Sequence, residues 1–226
     1  MPAIASSKTC RGLRVRDAVK RAIGRAYSLV ADNLYEPVVV RGAFRLFGGD
    51  LNVLVVEQGR RAARAADGGP ILDLPVGTGY FTMAMSRASS SLVVGADIAW
   101  GMVRHTAREA RAAGADSLVA VQADAHHLPF GSESFAAVVC SNGLQVMPGL
   151  DRNVAELARV LVPGASLFIS IVSVPLSSVL PESSREHLPV LLRSGRDVAT
   201  AIEAGGLRVI SVERSRFAWL IEARKT

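Results

Sequence analysis

A buried strand that enters a glycine loop and then a helix is the feature that most constrains the fold. The segment Ile71–Thr82 reads ILDLPVGTGYFT, in which an apolar strand carries Asp73 near its end and Gly77 and Gly79 follow. Glycines let the backbone approach a ligand closely, and the amides at a helix start face polar ligand atoms. The acid inside the strand end can meet a positively charged group. The pattern predicts a loop that holds a nucleoside-bearing ligand.

Two later strands also end in acids. Residues 91–96 are apolar and are followed by Asp97, and a third strand over 118–123 is followed by Asp124. An acid about twenty residues beyond a glycine loop can bind both hydroxyls of a ribose. Because the carboxyl ends of parallel strands form the ligand edge of an open sheet, the three acids predict one site at that edge.

The order and spacing of these segments resemble the class I S-adenosylmethionine-dependent methyltransferases, and among them the small-molecule group that includes ubiquinone and menaquinone biosynthesis methyltransferases. The resemblance covers residues 70–224. It rests on the glycine loop and on three further segments: Val94–Ile98, Asp124–Phe130 followed by Ser134 and Phe135, and Glu156–Gly164. It implies an α/β fold with a Rossmann-like seven-stranded sheet that is mostly parallel and closed by an antiparallel hairpin. It also implies S-adenosylmethionine as the cofactor.

The resemblance assigns roles to individual residues. Asp73 would help to anchor the amino group of the cofactor, Asp97 would bind the ribose hydroxyls, and Asp124 would bind the adenine amino group. The remaining contacts would come from the loop residues Gly77, Thr78 and Gly79 along the methionine part, from the Ala125 amide to a ring nitrogen, from Ile98 and Met102 on the adenine faces, and from the Ser141 backbone near the methionine end.

The glycine loop departs from the family pattern at two positions. Pro75 stands where glycine is usual, and Val76 stands where cysteine is frequent. Proline fixes φ and has no N–H, so the loop forms only where residue 75 has φ near −65° and needs no donor. The departure is consistent with weaker cofactor binding than is usual in the family. It also keeps open a non-catalytic subunit that retains the fold to bind a partner.

The chain is predicted to be a single methyltransferase domain over 1–226, with an N-terminal helical cap over 1–69 and a cofactor-binding core over 70–226. Hydrophobic periodicity predicts helices at 13–34, 37–47 and 51–66. In the core, it predicts strands near 70–74, 92–96, 118–122, 135–140 and 166–172, helices near 79–88, 99–113, 150–160 and 196–204, and a hairpin over 207–212 and 217–222.

Charge and composition limit the partners. The net charge is +6, and the excess of basic residues lies in the N-terminal helices, of which the amphipathic helix 13–34 could contact nucleic acid or anionic lipid. Only 5% of the residues are aromatic, which argues against a nucleic acid partner because few side chains are available to stack on the bases. We favour the interpretation that the basic face of helix 13–34 is solvated and that its apolar stripe packs on the domain as a lid. Loose contact with a membrane surface is the alternative. The two cysteines and the absence of a secretory segment predict a cytoplasmic protein. The oligomeric state is not predicted.

The chemistry implied by the resemblance is methyl transfer to a small acceptor that is apolar or aromatic, through an oxygen, nitrogen or carbon atom. Such a reaction is accelerated mainly by positioning, and a general base is needed only if the acceptor carries a proton at the working pH. His126, His127 and Gln145 are the weak candidates for catalytic groups, and no metal site is expected. A nicotinamide-dependent oxidoreductase is a rival interpretation, but Thr82 stands where its third loop glycine would be.

Overall fold

The computed structural model describes residues 51–144, 147–172, 194–215 and 218–226. The predicted helices at 13–34 and 37–47 lie outside the described residues. In chain order the described elements are α1 (Leu51–Ala65), β1 (Ile71–Asp73), α2 (Tyr80–Ala88), β2 (Val93–Asp97), α3 (Trp100–Ala112), β3 (Leu118–Gln122), β4 (Phe135–Ser141), α4 (Leu150–Val160), β5 (Leu161–Val172), α5 (Gly195–Ala204), β6 (Leu207–Ser215) and β7 (Ala218–Lys225).

The strands form one seven-stranded sheet in the order β3-β2-β1-β4-β5-β7-β6. Strands β1 to β5 pair in parallel, and β7 is antiparallel to both β5 and β6. The predicted fold class, including the antiparallel hairpin at the end of the chain, is confirmed. The strand order reverses between β1 and β4, and the crevice at such a reversal is where open α/β sheets bind ligands.

Helices cover both faces of the sheet, which explains why the central strands are nearly continuous apolar runs. On one face, α4 and α5 pack against alternate residues of β4 and β5, such as Val138 and Leu167. On the other face, α1 and α2 pack against the intervening residues, such as Val139 and Phe168. Cys140 is buried in the first of these two cores, and its burial raises the pKa of the thiol to about 12. This cysteine is therefore a core residue.

Strand β5 begins earlier than the sequence predicts. The pairing of β4 with β5 passes from Phe135–Leu161 directly to Ala137–Ser166, so β5 carries extra residues at this point. Pro163 and Gly164 lie between the predicted helix 150–160 and the predicted strand 166–172, and Gly164 has a φ of 80°. The two residues form an irregularity inside the strand instead of a separate turn.

In the described part of the chain, no helix has the length and hydrophobicity that crossing a membrane requires.

Candidate functional site

The glycine loop joins β1 to α2 at the reversal point of the sheet. Gly77 has a φ of 54° and Gly79 a φ of 76°, a backbone region in which glycine is favoured. A Cβ at Gly79 would lie 2.8 Å from Cγ2 of Thr106, and the Thr106 hydroxyl donates a hydrogen bond to the Gly77 carbonyl oxygen at 3.0 Å. Among the described residues, nothing lies within 4 Å of a Cβ built at Gly77. The loop is thus fixed on α3 and has open space beside Gly77.

Asp97, at the end of β2, is tied to this loop. Its Oδ2 accepts a hydrogen bond from the Gly77 N–H at 3.0 Å, and its Oδ1 accepts one from the Ala99 N–H at 2.9 Å. Burial raises the pKa of Asp97, and hydrogen bonds from the backbone N–H groups of Ala99, Gly77 and Ile98 oppose that rise. A carboxylate has about four acceptor positions, so capacity for a ligand hydroxyl remains. Sequence reasoning missed the structural role of this acid in shaping the loop.

Asp73, the last residue of β1, is 2% exposed. Its Oδ2 accepts a hydrogen bond from the Thr82 hydroxyl of α2. Its Oδ1 is buried, and no described residue donates to it. Burial raises the pKa of Asp73 to about 7, and the Thr82 bond opposes the rise. A buried carboxylate oxygen without a donor fits a ligand that brings a positively charged donor, such as an ammonium group.

The expected adenine side of the site lies at the ends of β2 and β3. Ile98 is 39% exposed directly after Asp97, whereas Met102 is buried in α3. The Gln122 side chain donates to the Ile98 carbonyl oxygen at 3.0 Å and so connects the two strand ends. Asp124 accepts a hydrogen bond from the His126 N–H at 2.9 Å, which shapes the loop that contains Ala125. The structure brings Asp97, Ile98 and Asp124 to one edge of the sheet.

The two adjacent histidines have different surroundings. His126 is 6% exposed, and its Nε2 lies 2.6 Å from the Pro148 carbonyl oxygen. Because a carbonyl oxygen only accepts, this Nε2 carries a proton and joins the loop after β3 to the one before α4. His127 is exposed, 3.4 Å from Arg152. Both histidines stay untested candidates for catalytic groups. Gln145 lies outside the described residues.

The end of β4 contacts the glycine loop. Ser141 is the last residue of β4 and pairs with Ser170 of β5. Its hydroxyl is buried and has no hydrogen-bond partner in the described part of the chain. Gly143, two residues after Ser141, packs against the ring of Pro75. Sequence reasoning named Ser141 but missed Gly143, because no local pattern connects it to Pro75.

A metal centre finds no support in the described ranges, which contain no group of three or more His, Cys, Asp or Glu side chains able to hold an ion.

Comparisons with known proteins agree with this geometry. Residues 71–164 match a family model described as a methyltransferase domain. Demethylmenaquinone methyltransferase from Clavibacter sepedonicus is 36% identical over 165 residues, which is 72% of this chain and 61% of the relative. The enzyme of that name from Thermobifida fusca is 34% identical over 140 residues, 60% of this chain and 59% of the relative. The chain thus spans about three fifths of the length of these curated relatives.

Solved structures show the same fold at lower identity. An S-adenosylmethionine-dependent methyltransferase from Aquifex aeolicus aligns with a TM-score of 0.65 and 19% identity, covering 82% of this chain and 94% of that one. Geranyl diphosphate methyltransferase in complex with S-adenosylmethionine aligns with a TM-score of 0.65 and 15% identity, covering 79% of this chain and 88% of that one. Residues 71–164 thus match a methyltransferase domain, and the chain has the fold of the class I S-adenosylmethionine-dependent methyltransferases.

Proposed function

We propose that this protein transfers a methyl group from S-adenosylmethionine to a small apolar or aromatic acceptor, and that the acceptor is a quinol of the demethylmenaquinone type. The observation that carries the cofactor part is the buried Asp73 Oδ1, which no described residue supplies with a donor, next to the open space at Gly77. The acceptor part is supported by the names of the relatives, the demethylmenaquinone methyltransferases.

The described residues fit the cofactor along its length. Asp73 would accept the ammonium group of the methionine part, and the remaining acceptor positions of Asp97 would take the ribose hydroxyls. Ile98 offers an exposed apolar surface to the adenine ring, with Asp124 at the neighbouring strand end. The other contacts assigned to the cofactor are those of Gly77, Thr78, Gly79, Met102, Ala125 and Ser141. When bound, the cofactor supplies an electrophilic methyl group.

The protein's contribution is mainly to hold the acceptor in line with that methyl group and to exclude water. Correct placement is worth up to roughly 7–11 kcal/mol in reactions of this kind. His126 donates from Nε2 to Pro148, so we assign it to holding the loop and not to proton transfer. We assign no general base. Gln145 stays a candidate for orienting the acceptor.

The rival oxidoreductase is disfavoured by the sheet. The antiparallel β7 lies between β5 and β6, whereas the doubly wound sheet of nicotinamide-binding domains has the strand order 3-2-1-4-5-6. The other alternative, a non-catalytic subunit that keeps this fold, would bind the cofactor without transferring its methyl group. The cytoplasmic location stays a prediction from sequence.

Calorimetric titration with S-adenosylhomocysteine, S-adenosylmethionine and NAD tests the cofactor. We expect the first two to bind and to raise the melting temperature, and NAD to do neither. Incubation with S-adenosylmethionine and a short-chain demethylmenaquinol, followed by mass spectrometry of the quinone, tests the acceptor. Binding without methylation of any quinol would support the non-catalytic subunit.

A further inference from the structure

Asn142 lies between the glycine loop and the end of β5. It follows Ser141, the last residue of β4, and its backbone N–H donates to the Ser170 carbonyl oxygen of β5 at 2.8 Å. The next residue, Gly143, packs against Pro75 of the glycine loop. Asn142 is therefore held at the ligand edge of the sheet, next to the reversal point.

The side-chain amide of Asn142 is shielded from solvent and has no hydrogen bond with any described residue. Neither Oδ1 nor Nδ2 has a partner among the described residues, and the same is true of the adjacent Ser141 hydroxyl. Buried polar atoms are almost always hydrogen-bonded, so two unsatisfied amide atoms on one residue are costly. The residue as a whole is half-buried, so part of it is exposed at this edge of the sheet.

The backbone offers a competing explanation. Asn142 has a φ of 55°, and asparagine tolerates this left-handed conformation better than most residues. Glycine adopts it more easily still and would leave no amide unsatisfied. Conformation alone therefore does not account for the polar side chain at this position.

The strand order indicates which ligand the amide meets. Asp124, Asp97 and Asp73 follow one another across β3, β2 and β1, and these residues are assigned to the adenine, the ribose and the amino group. Asn142 continues the series on the far side of β1, between β4 and β5. This position lies beyond the methionine end of the cofactor, where an acceptor must approach.

Charge indicates the type of group. Asp73 pairs in the sheet with Val139, only three residues before Asn142, and its carboxylate disfavours a second anion nearby. The amide and the Ser141 hydroxyl are uncharged, and together they offer both donors and acceptors. They suit a neutral oxygen, either a hydroxyl or a carbonyl group.

We propose that Asn142 binds a hydroxyl or carbonyl oxygen of the acceptor through its side-chain amide and thereby orients the acceptor ring. This inference rests on the proposed methyl transfer to a quinol, whose ring carries such oxygens. Asn142 is thus an acceptor-binding residue and contributes nothing to cofactor affinity.

The substitution N142G separates the two explanations, because glycine keeps the left-handed backbone and removes only the amide. D67G is a matched control, since Asp67 also has a positive φ, of 46°, in the turn before β1 at the opposite edge of the sheet. The probe is demethylmenaquinol with a short prenyl chain for kinetics. The oxidised quinone serves for equilibrium binding to the complex with S-adenosylhomocysteine.

We expect N142G to raise the KM for the quinol and the Kd for the quinone by roughly three- to tenfold, the effect of one lost neutral hydrogen bond. The Kd of S-adenosylhomocysteine should stay within about twofold of the wild-type value, and D67G should change none of the three. Unchanged quinone binding in N142G would overturn the inference in favour of the backbone explanation. Weaker S-adenosylhomocysteine binding would overturn it by assigning the amide to the cofactor. A wild-type protein that binds S-adenosylhomocysteine but no quinone would overturn the acceptor class and the inference together.

Discussion

The ring of Pro75 packs against Gly143 so closely that a Cβ at position 143 would lie 2.1 Å from Pro75 Cδ. Val76, the residue after Pro75, also packs against a glycine, because a Cβ at Gly95 would lie 2.5 Å from Cγ2 of Val76. Both loop residues that depart from the usual family pattern are therefore accommodated by a glycine next to the loop. The loop keeps its left-handed glycines at 77 and 79 despite the proline.

The first prediction concerns this pair. G143A should destabilise the protein by about 1–3 kcal/mol, because the added methyl group meets a rigid ring. P75G should relieve most of that cost, and a double-mutant cycle of urea unfolding measures the coupling. G131A is the control, since its Cβ would meet only the Ser134 hydroxyl, at 3.3 Å. Additive effects of G143A and P75G would contradict the contact.

The second prediction is a pH dependence. Burial raises the pKa of Asp73 from 3.8 to about 7, so the folded protein holds a proton that the unfolded chain releases between these values. The stability that this proton provides is complete below about pH 4 and is lost as the pH rises towards 7. In urea unfolding, D73N should therefore gain stability relative to the wild type as the pH rises from about 4 towards 7, and the difference should stay constant above that range.

Binding should show the opposite trend. An ammonium group is attracted to the ionised Asp73, so the affinity for S-adenosylhomocysteine should rise about tenfold from pH 6 to pH 8. Calorimetry in buffers of different ionisation enthalpy measures the accompanying proton release. D73N should bind weakly, with little dependence on pH in this range. A wild-type affinity that is constant over this range would argue against Asp73 as the anchor of the amino group.

The third prediction concerns Asp97, which accepts hydrogen bonds from the N–H groups of Gly77 and Ala99. D97A should weaken S-adenosylhomocysteine binding by roughly 1.5–3 kcal/mol, the scale of hydrogen bonds to a charged group. It should also reduce the free energy of unfolding, because two N–H groups lose their acceptor. D116A, at an exposed acid before β3, is the control. Unchanged affinity in D97A would place the ribose elsewhere.

The fourth prediction separates the two histidines. H126A removes the donor to the Pro148 carbonyl oxygen, so it should lower the free energy of unfolding by about 1–3 kcal/mol. H127A changes an exposed side chain and should leave both stability and kcat near the wild-type values. The pH profile of kcat in H127A is the decisive measurement, since loss of its acidic limb would identify His127 as a general base.

The fifth prediction concerns helix 13–34, which lies outside the described residues. A quinol with a prenyl chain is a lipid, so the proposed acceptor favours membrane-surface contact over a packed lid. We expect co-sedimentation with anionic vesicles that weakens with salt and with the substitutions R14Q, K20Q, R21Q and R25Q combined. Neutral vesicles are the control. No binding to either vesicle type would favour the lid, and equal binding to both would indicate membrane contact that does not depend on the basic face.

Much of the fold was predictable because it depends on local patterns. The strand ending at Asp73, the glycine loop and the strand ending at Asp97 are each encoded within a short segment, through burial, turn chemistry and spacing. The start of β5 was not predictable, because Pro163 and Gly164 are ordinary turn residues whose place inside a strand depends on pairing with β4.

By itself, the sequence determined the order of the elements and which acids reach the ligand edge, since strand alternation and the direction of parallel strands fix both. Only the tertiary structure decided what those acids contact. The bond from Gly77 to Asp97, the orphan oxygen of Asp73 and the unsatisfied amide of Asn142 all depend on segments far apart in the chain. Hydrogen-bond satisfaction and close packing are properties of the assembled neighbours, and no single segment contains them.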